Sequence, residues 1–142
     1  MPRITKTEYE TLAAFRYAMR QFLRFSEEAA QSAGLTPQQH QALLAIKAAQ
    51  NKLTIKELAE RMQIRHHSAV GLVDRLMAQG LLKREPSRAD RRQVYVTLSP
   101  QGSRLLERLS STHKEELRRM LPELRNLIER LSGDQVNGAD QS

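Results

Sequence analysis

The strongest constraint on the fold of this chain is a change of sequence periodicity near Gly80, within its 142 residues. Before Gly80, apolar residues recur every three or four positions, which is typical of amphipathic helices. After it, residues 94–98 alternate with β-branched and aromatic side chains, which predicts a half-buried strand. Residues 81–85 are also short and extended in character. A polar loop over 86–93 separates the two extended segments, so the pattern predicts helices followed by one hairpin.

Local signals place the helix boundaries around this hairpin. Thr36 with Gln39 and Thr54 with Glu57 have the spacing of capping boxes, and each begins a helix. The predicted helices cover residues 8–32, 37–49, 55–62, 66–79 and a region that begins after Ser99-Pro100. The short third and fourth helices are joined by about three residues. Followed by strand, basic loop and strand, they predict a winged helix-turn-helix, in a fold that is mainly α with a small β-wing.

The charge of the chain is concentrated in this region. There are 23 Lys and Arg and 16 Asp and Glu, a formal net charge of +7. Residues 64–92 hold seven basic and three acidic side chains, so 7 − 3 = +4 of that excess lies in this window. A clustered basic excess indicates an anionic partner, and beside a helix-turn-helix it favours double-stranded DNA.

The helix at 66–79 is the candidate recognition helix. Its inward face centres on Ala69, Val73 and Leu76. A helix of this width fits the major groove, and its first turn would meet base edges first. The wing arginines suit a narrow minor groove, whose negative potential attracts arginine. The predicted DNA-binding residues are Arg65, His66, His67, Ser68, Gly71, Arg75, Arg88, Arg91 and Arg92.

Two of the residues in this region have roles of a different kind. Asp90 would repel phosphates, so we expect it to pair with Arg92 and stabilise the wing. Gly71 costs up to about 1 kcal/mol relative to alanine in a helix interior. Either it allows the helix backbone to approach DNA closely, or it removes a contact without any gain. The sequence leaves both interpretations open.

Composition and motifs argue against catalysis and cofactors. The chain has no cysteine, which excludes disulfides, thiolate zinc sites and cysteine nucleophiles. His66 and His67 point about 100° apart on a helix, so they chelate a metal poorly together. Phosphate-binding loops and nucleophile motifs are absent from the sequence. We therefore expect no enzyme activity, no catalytic residue, no metal and no cofactor. With no apolar stretch of membrane-spanning length, we expect a cytoplasmic protein without membrane contact.

The first helix carries more apolar bulk than one helix of a small domain needs. Five of the six aromatic residues lie in it. Along it, Leu12, Phe15, Met19, Phe22, Leu23 and Ser26 recur at three- and four-residue steps. Part of this apolar surface should face another chain or a ligand. We place a small-molecule pocket near Phe15, Phe22 and His40.

Four blocks, in this order and spacing, resemble the MarR family of bacterial transcriptional regulators (multiple antibiotic resistance regulators). They are residues 68–76, 79–84, 90–92 and 96–102. The resemblance implies a homodimer of winged helix-turn-helix subunits that reads a pseudo-palindromic operator, with half-sites one helical turn (~34 Å) apart. Many members are repressors released by a small, often phenolic, anionic effector. Gly71 and Arg65 depart from the family pattern, in which a larger polar or basic residue and a small acidic or hydroxyl residue are commoner.

The predicted organisation is one MarR-type domain over residues 1–142. It has a DNA-binding lobe at 36–100, dimerisation helices at 8–34 and 100–131 that the resemblance implies, and a disordered tail at 132–142. The predicted function is a dimeric, sequence-specific transcriptional regulator, a repressor relieved by a small aromatic or anionic ligand. Two alternatives stay open: a ligand-independent architectural DNA binder, and a winged-helix module for protein interaction.

Overall fold

The structure, a computed structural model, describes the backbone of residues 3–140 and the side chains of residues 3–133. The elements in chain order are α1 (Lys6–Ser32), α2 (Pro37–Ala48), α3 (Ile55–Met62), α4 (His66–Ala78), β1 (Leu82–Pro86), β2 (Val94–Leu98) and α5 (Pro100–Asp140). The two strands form one antiparallel sheet. The predicted fold, mainly α with a small β-wing, is confirmed.

The chain forms two compact units. One is Glu27–Ser111, and the other joins Met1–Ser26 to Thr112–Ser142. The first unit contains α2, α3, α4, both strands and the adjoining ends of α1 and α5. It therefore extends beyond the predicted lobe of residues 36–100 at both ends.

Both predicted capping boxes are present. The Thr36 hydroxyl accepts from the Gln39 amide at 3.1 Å, and the Gln39 side chain accepts from the Thr36 amide at 3.0 Å. Thr54 and Glu57 make the equivalent pair at the start of α3. Each box satisfies two backbone donors that a helix start would otherwise leave without partners. The first two helices of the lobe therefore begin where the sequence alone predicts.

The hairpin is attached to the helices by backbone hydrogen bonds. In the sheet register, Leu82 lies opposite Leu98 and Pro86 opposite Val94. The Val96 amide donates to the Leu53 carbonyl at 2.8 Å, which places a short third segment beside β2. This hydrogen bond connects the segment just before α3 directly to the second strand of the wing.

The core of the unit Glu27–Ser111 is apolar and continuous. Its buried side chains come from every element of the unit and include Leu43, Ile46, Leu58, Leu72, Val73, Leu76, Val96 and Leu106. Gly102 at the start of α5 lies so close to the Leu81 carbonyl that an added Cβ would stand 2.1 Å from that oxygen. A side chain there would force α5 away from the end of the turn that leads into β1.

In the second unit, the apolar residues of α1 lie on two faces of the helix. Thr11 and Ala18 are buried, and Phe15, Phe22, Phe25 and Ser26 are partly buried. Tyr9, Leu12, Tyr17, Met19 and Leu23 are instead exposed. Leu12, Met19 and Leu23, which share the helical periodicity of Phe15 and Phe22, are therefore left uncovered within the single chain. The single chain therefore covers one face of α1 and leaves large apolar side chains exposed on the other.

Helix α5 is longer and less interrupted than predicted. The sequence predicts a kink or a restart at Pro122; α5 is one helix on both sides of this residue, so it does not restart there. The helix also continues to Asp140. Residues 141 and 142 lie outside the described part of the chain. A proline removes one backbone donor, and a glycine costs about 1 kcal/mol, neither of which must end a long helix.

No helix within residues 3–140 has an apolar stretch long enough to cross a lipid bilayer.

Candidate DNA-binding surface

Helix α4 separates its apolar and polar residues as the sequence predicts. Ala69, Leu72, Val73 and Leu76 are buried in the core of the unit. His67, Asp74 and Arg75 lie on the exposed side of the same helix. The buried stripe anchors α4 along most of its length, so the exposed side chains project from a rigid support.

The first turn of α4 presents four exposed polar side chains in a row: Arg65, His66, His67 and Ser68. Arg65 occupies the N-cap position, and its side chain makes no capping hydrogen bond. Gln63 in the preceding turn adopts a left-handed conformation with φ of +56°, which ends α3 sharply. The four residues predicted for DNA binding at this turn are therefore brought together at one end of the helix.

The wing loop is held by a buried serine that the sequence analysis did not single out. Ser87 is buried, and its hydroxyl accepts from the amides of Ala89 and Asp90 at 3.2 and 3.3 Å. The Ser87 amide donates to the Gln93 carbonyl at 3.0 Å and closes the loop. A hydroxyl residue followed by a tight polar loop is the pattern of a serine turn, which is the signal that could have found it.

Asp90 stabilises the wing through a different atom of its predicted partner. Its carboxylate accepts from the backbone amide of Arg92 at 3.0 Å, rather than pairing with the Arg92 guanidinium. The Asp90 carbonyl also accepts from the Gln93 amide at 3.0 Å. The acidic residue therefore shapes the backbone of the loop, and the side chains of Arg88, Arg91 and Arg92 are exposed on it.

An ion pair links α4 to the wing. Arg84 on β1 donates to the Asp74 carboxylate at 3.4 Å. Both side chains are about half exposed, so the pair contributes little to stability. It orients the base of the wing relative to the exposed face of α4, and it offsets a negative charge on a surface that is otherwise basic.

The three residues predicted for a ligand pocket fall in different units. Phe15 and Phe22 are partly buried in the unit of the chain ends, whereas His40 is buried in α2. Phe22 packs edge-on against His113 with ring centroids 6.0 Å apart. The Nε2 atom of His113 lies 2.8 Å from the Ser26 hydroxyl. The sequence analysis missed this histidine because it lies 87 residues from its hydrogen-bond partner.

The hydrogen bond from Arg119 lowers the pKa of the Glu116 carboxyl, one turn along α5 from it. Among residues 3–133, no three His, Asp or Glu side chains are grouped so that they could hold a metal ion.

A helix pair joined by a tight turn, an exposed polar helix start and an arginine-bearing hairpin define the class of protein. It is a winged helix-turn-helix protein. The model of the MarR family matches residues 33–93, so this segment of the chain is similar to the MarR family. This is a family of transcriptional regulators rather than of enzymes, which agrees with the predicted lack of enzyme activity.

Two curated relatives of the chain are HTH-type transcriptional regulators. The chain is 34% identical over 68 residues to the uncharacterised HTH-type transcriptional regulator YsmB of Bacillus subtilis, covering 48% of this chain and 47% of that protein. It is 29% identical over 94 residues to the HTH-type transcriptional repressor MdtR of Bacillus subtilis, covering 66% and 60%. The matches thus span about half to three fifths of the length of these curated relatives.

The fold itself is shared with a protein solved on DNA. A mutant of S. aureus MepR bound to an oligodeoxyribonucleotide superposes with a TM-score of 0.67 and 19% identity, covering 91% of this chain and 95% of that one. At this identity the likeness concerns the fold.

Proposed function

We propose that this chain is a homodimeric, sequence-specific DNA-binding transcriptional repressor whose operator binding is released by a small aromatic or anionic ligand. One observation carries the proposal. The exposed start of α4 and the exposed wing arginines belong to one compact unit, and the Asp74–Arg84 pair connects their supports. A compact unit that carries both a polar helix start and a cationic loop can contact two grooves of one DNA duplex.

The two elements suit two different grooves. At the first turn of α4, Ser68 and His67 can bind base edges and Arg65 can bind a phosphate. No apolar side chain interrupts this row of residues. Arg88, Arg91 and Arg92 lie on a loop whose backbone is held by Ser87 and Asp90. Because the loop is ordered before binding, less conformational entropy is lost when arginine enters a minor groove.

The homodimer is supported by apolar side chains that the single chain leaves uncovered. On α1 these include Leu12, Met19 and Leu23, and on α5 they include Leu117, Leu121 and Ile128. All six belong to the unit formed by the two chain ends. Large apolar side chains clustered in one unit are typical of a surface that another chain covers. The two chain ends were also the segments for which the MarR resemblance implies dimerisation.

The regulatory part of the proposal has separate support. The MdtR relative is named a repressor, which favours repression here. The aromatic side chains of α1, which include Phe15 and Phe22, favour a ligand that is partly apolar. A ligand that binds best to a dimer with wrongly spaced recognition helices would shift the population away from the DNA-binding form.

Selection of bound fragments from genomic DNA, followed by titration of the best fragment and of random duplex, tests the proposal. We expect at least about a thousandfold preference for the selected fragment. Affinity should also fall steeply with salt, because several phosphates are neutralised. Similar affinity for all duplexes would favour an architectural DNA binder. Weak binding to every duplex at moderate salt would favour a protein-interaction module instead.

Substitution of Gly71 by alanine distinguishes the two interpretations of this glycine. A Cβ at this position would meet only the Arg75 side chain, at 3.7 Å, which is ordinary contact. The chain therefore has room for alanine, and the free protein should become more stable by up to about 1 kcal/mol. If the α4 backbone approaches DNA closely here, operator affinity should fall by about tenfold, since the methyl group occupies that space.

Gly133→Ala is the matched control for this experiment. Gly133 also lies within a helix, α5, and a Cβ there would meet nothing within 4 Å. It should raise the melting temperature without changing operator affinity. Unchanged operator affinity in Gly71→Ala would show that this glycine does not mark a close approach.

A further inference from the structure

The base of the wing hairpin is bonded to a side chain from the turn between α2 and α3. The Leu98 amide of β2 donates to the Oδ1 atom of Asn51 at 2.9 Å, and both residues belong to the unit Glu27–Ser111. We propose that Asn51 is a positioning residue for DNA binding, whose side chain fixes the angle at which the wing stands against the helices of this unit. The effect on DNA rests on the proposed function, whereas the anchoring of the hairpin does not.

Asn51 occupies the register position opposite Leu98 on the outer edge of β2. Leu53 pairs with Val96 in an antiparallel bridge, and the Val96 amide donates to the Leu53 carbonyl at 2.8 Å. Alternate amides of a strand point to the same edge, so the Leu98 amide points to the same side as that of Val96. A longer strand before Leu53 would pair Asn51 with Leu98. The side-chain oxygen of Asn51 therefore replaces the backbone carbonyl that such a strand would supply.

The backbone of the turn explains why a side chain serves as the acceptor. Gln50 and Asn51 are both left-handed, with φ of +58° and +60°. The Asn51 amide donates to the Ile46 carbonyl at 3.0 Å and closes the C-terminus of α2. The backbone at Asn51 is therefore used by the helix end and does not extend the strand. Asparagine tolerates the left-handed conformation better than most residues and carries an acceptor on a short side chain. It thus combines the two properties that this position needs.

The position of this bond at the base of the hairpin gives it leverage over the wing loop. Leu98 is buried, and a buried amide that loses its acceptor is costly to keep, so the base of β2 should shift without Asn51. Val94 lies four residues closer to the loop, roughly 13 Å along an extended strand. A rotation at Leu98 is therefore enlarged at the loop that bears the wing arginines. On β1, the Asp74–Arg84 pair is about half exposed and opposes such a rotation only weakly.

Amide hydrogen exchange in the free protein tests the anchoring. Asn51→Gly removes the acceptor and suits the left-handed backbone, so the variant should fold. The Leu98 amide should exchange about tenfold faster than in the native chain, whereas the amide of Val73, buried in α4, should change by less than about threefold. Asn51→Asp keeps an oxygen at this position and should restore slow exchange at Leu98. Equal changes at Leu98 and Val73, or no change at either, would show that Asn51 does not anchor the hairpin.

Titration of the selected DNA fragment tests the positioning role. Asn51→Gly should weaken binding by about tenfold, because both wings of a dimer must then be aligned on binding. In an Arg92→Ala background, the same substitution should weaken binding by less than about threefold, since a residue that acts through the wing adds little once a wing contact is lost. A residue that only stabilises the fold would give the same loss in both backgrounds, and that result would overturn the positioning role.

Gln50→Gly is the matched control. Gln50 is exposed and has the same left-handed backbone, but the Leu98 amide is bonded to its neighbour Asn51. The control should leave both the exchange at Leu98 and the affinity for DNA unchanged. Because Asn51→Asp adds a negative charge, its affinity for DNA is compared with that of Gln50→Asp, which adds the same charge one residue away. These two variants should bind equally well, and much weaker binding by Asn51→Asp would contradict the role of the oxygen.

The two measurements separate this inference from the proposed function. A native chain that prefers no DNA fragment would contradict the proposed function and the positioning role together, while exchange at Leu98 would still decide whether Asn51 anchors the hairpin. A native chain that binds its selected fragment no better than Asn51→Gly does would overturn the positioning role and leave the proposed function intact.

Discussion

Replacing Arg92 by alanine is expected to weaken operator binding by roughly a hundredfold to ten-thousandfold while the protein stays dimeric. Each charged hydrogen bond contributes about 1.5–3 kcal/mol, and a dimer carries two wings. The Arg92 backbone is held by Asp90, so its exposed side chain starts from an ordered loop. The substitution removes the guanidinium but leaves the hydrogen bond that orders this loop, so the loss should reflect contact with DNA.

Fluorescence anisotropy with a labelled operator measures this loss, and sedimentation velocity confirms the oligomeric state. Lys47→Ala removes the same charge from an exposed position on α2, outside the DNA-binding surface proposed above. It should weaken binding only slightly, through the change in net charge. The slope of affinity against salt should decrease in Arg92→Ala, because fewer phosphates are neutralised. Native operator affinity in Arg92→Ala would remove the wing from the mechanism.

Replacing Leu23 by aspartate is expected to dissociate the dimer and abolish specific DNA binding. Leu23 is 55% exposed in the single chain and lies on the uncovered apolar face of α1. In a symmetric dimer the substitution would place two carboxylates in the interface. Burying an unpaired charge costs several kcal/mol, so the dimer dissociation constant should rise by about three orders of magnitude or more. Each separated subunit could then hold only one half-site.

Sedimentation equilibrium measures the dissociation, and circular dichroism shows that the helices remain. Leu44→Asp is the matched control, since Leu44 is 47% exposed but belongs to α2 in the other unit. It should remain dimeric. A dimeric Leu23→Asp protein with native DNA affinity would place the subunit interface on a different surface.

Much of the DNA-binding unit could be predicted because its signals are local. A capping box depends on residues three positions apart, and both Thr36 and Thr54 form the expected pairs. The strand at Val94–Leu98 follows from the alternation of its side chains, because successive residues of a strand face opposite sides. The exposed side of α4 follows in the same way from helical periodicity.

The division of α1 into a covered and an exposed face could not be predicted from local signals. Periodicity identifies apolar residues but does not distinguish a face that packs within the chain from one left for another subunit. Ala18 is buried and Leu23 is exposed, which is the reverse of what size and hydrophobicity suggest. Which side chains of α1 are covered depends on how the helices pack, and that packing is a property of the tertiary structure.

The wing shows the same limit on a smaller scale. The sequence predicts that Asp90 and Arg92 interact, because they are close in the chain. Only the folded loop shows that the carboxylate accepts from the Arg92 backbone amide. Ser87 is buried below the loop for the same reason, since a tight turn needs an internal acceptor for its amides.

The amino-acid sequence by itself determined the helix starts, the hairpin, the concentration of positive charge and the polar face of α4. These features depend on residues within a few positions of one another, whose interactions hold in any packing of the chain. The tertiary structure alone decided which face of α1 is covered and how Leu53 comes to pair with Val96. These residues come from distant segments, and only the burial of a shared core brings such segments into contact.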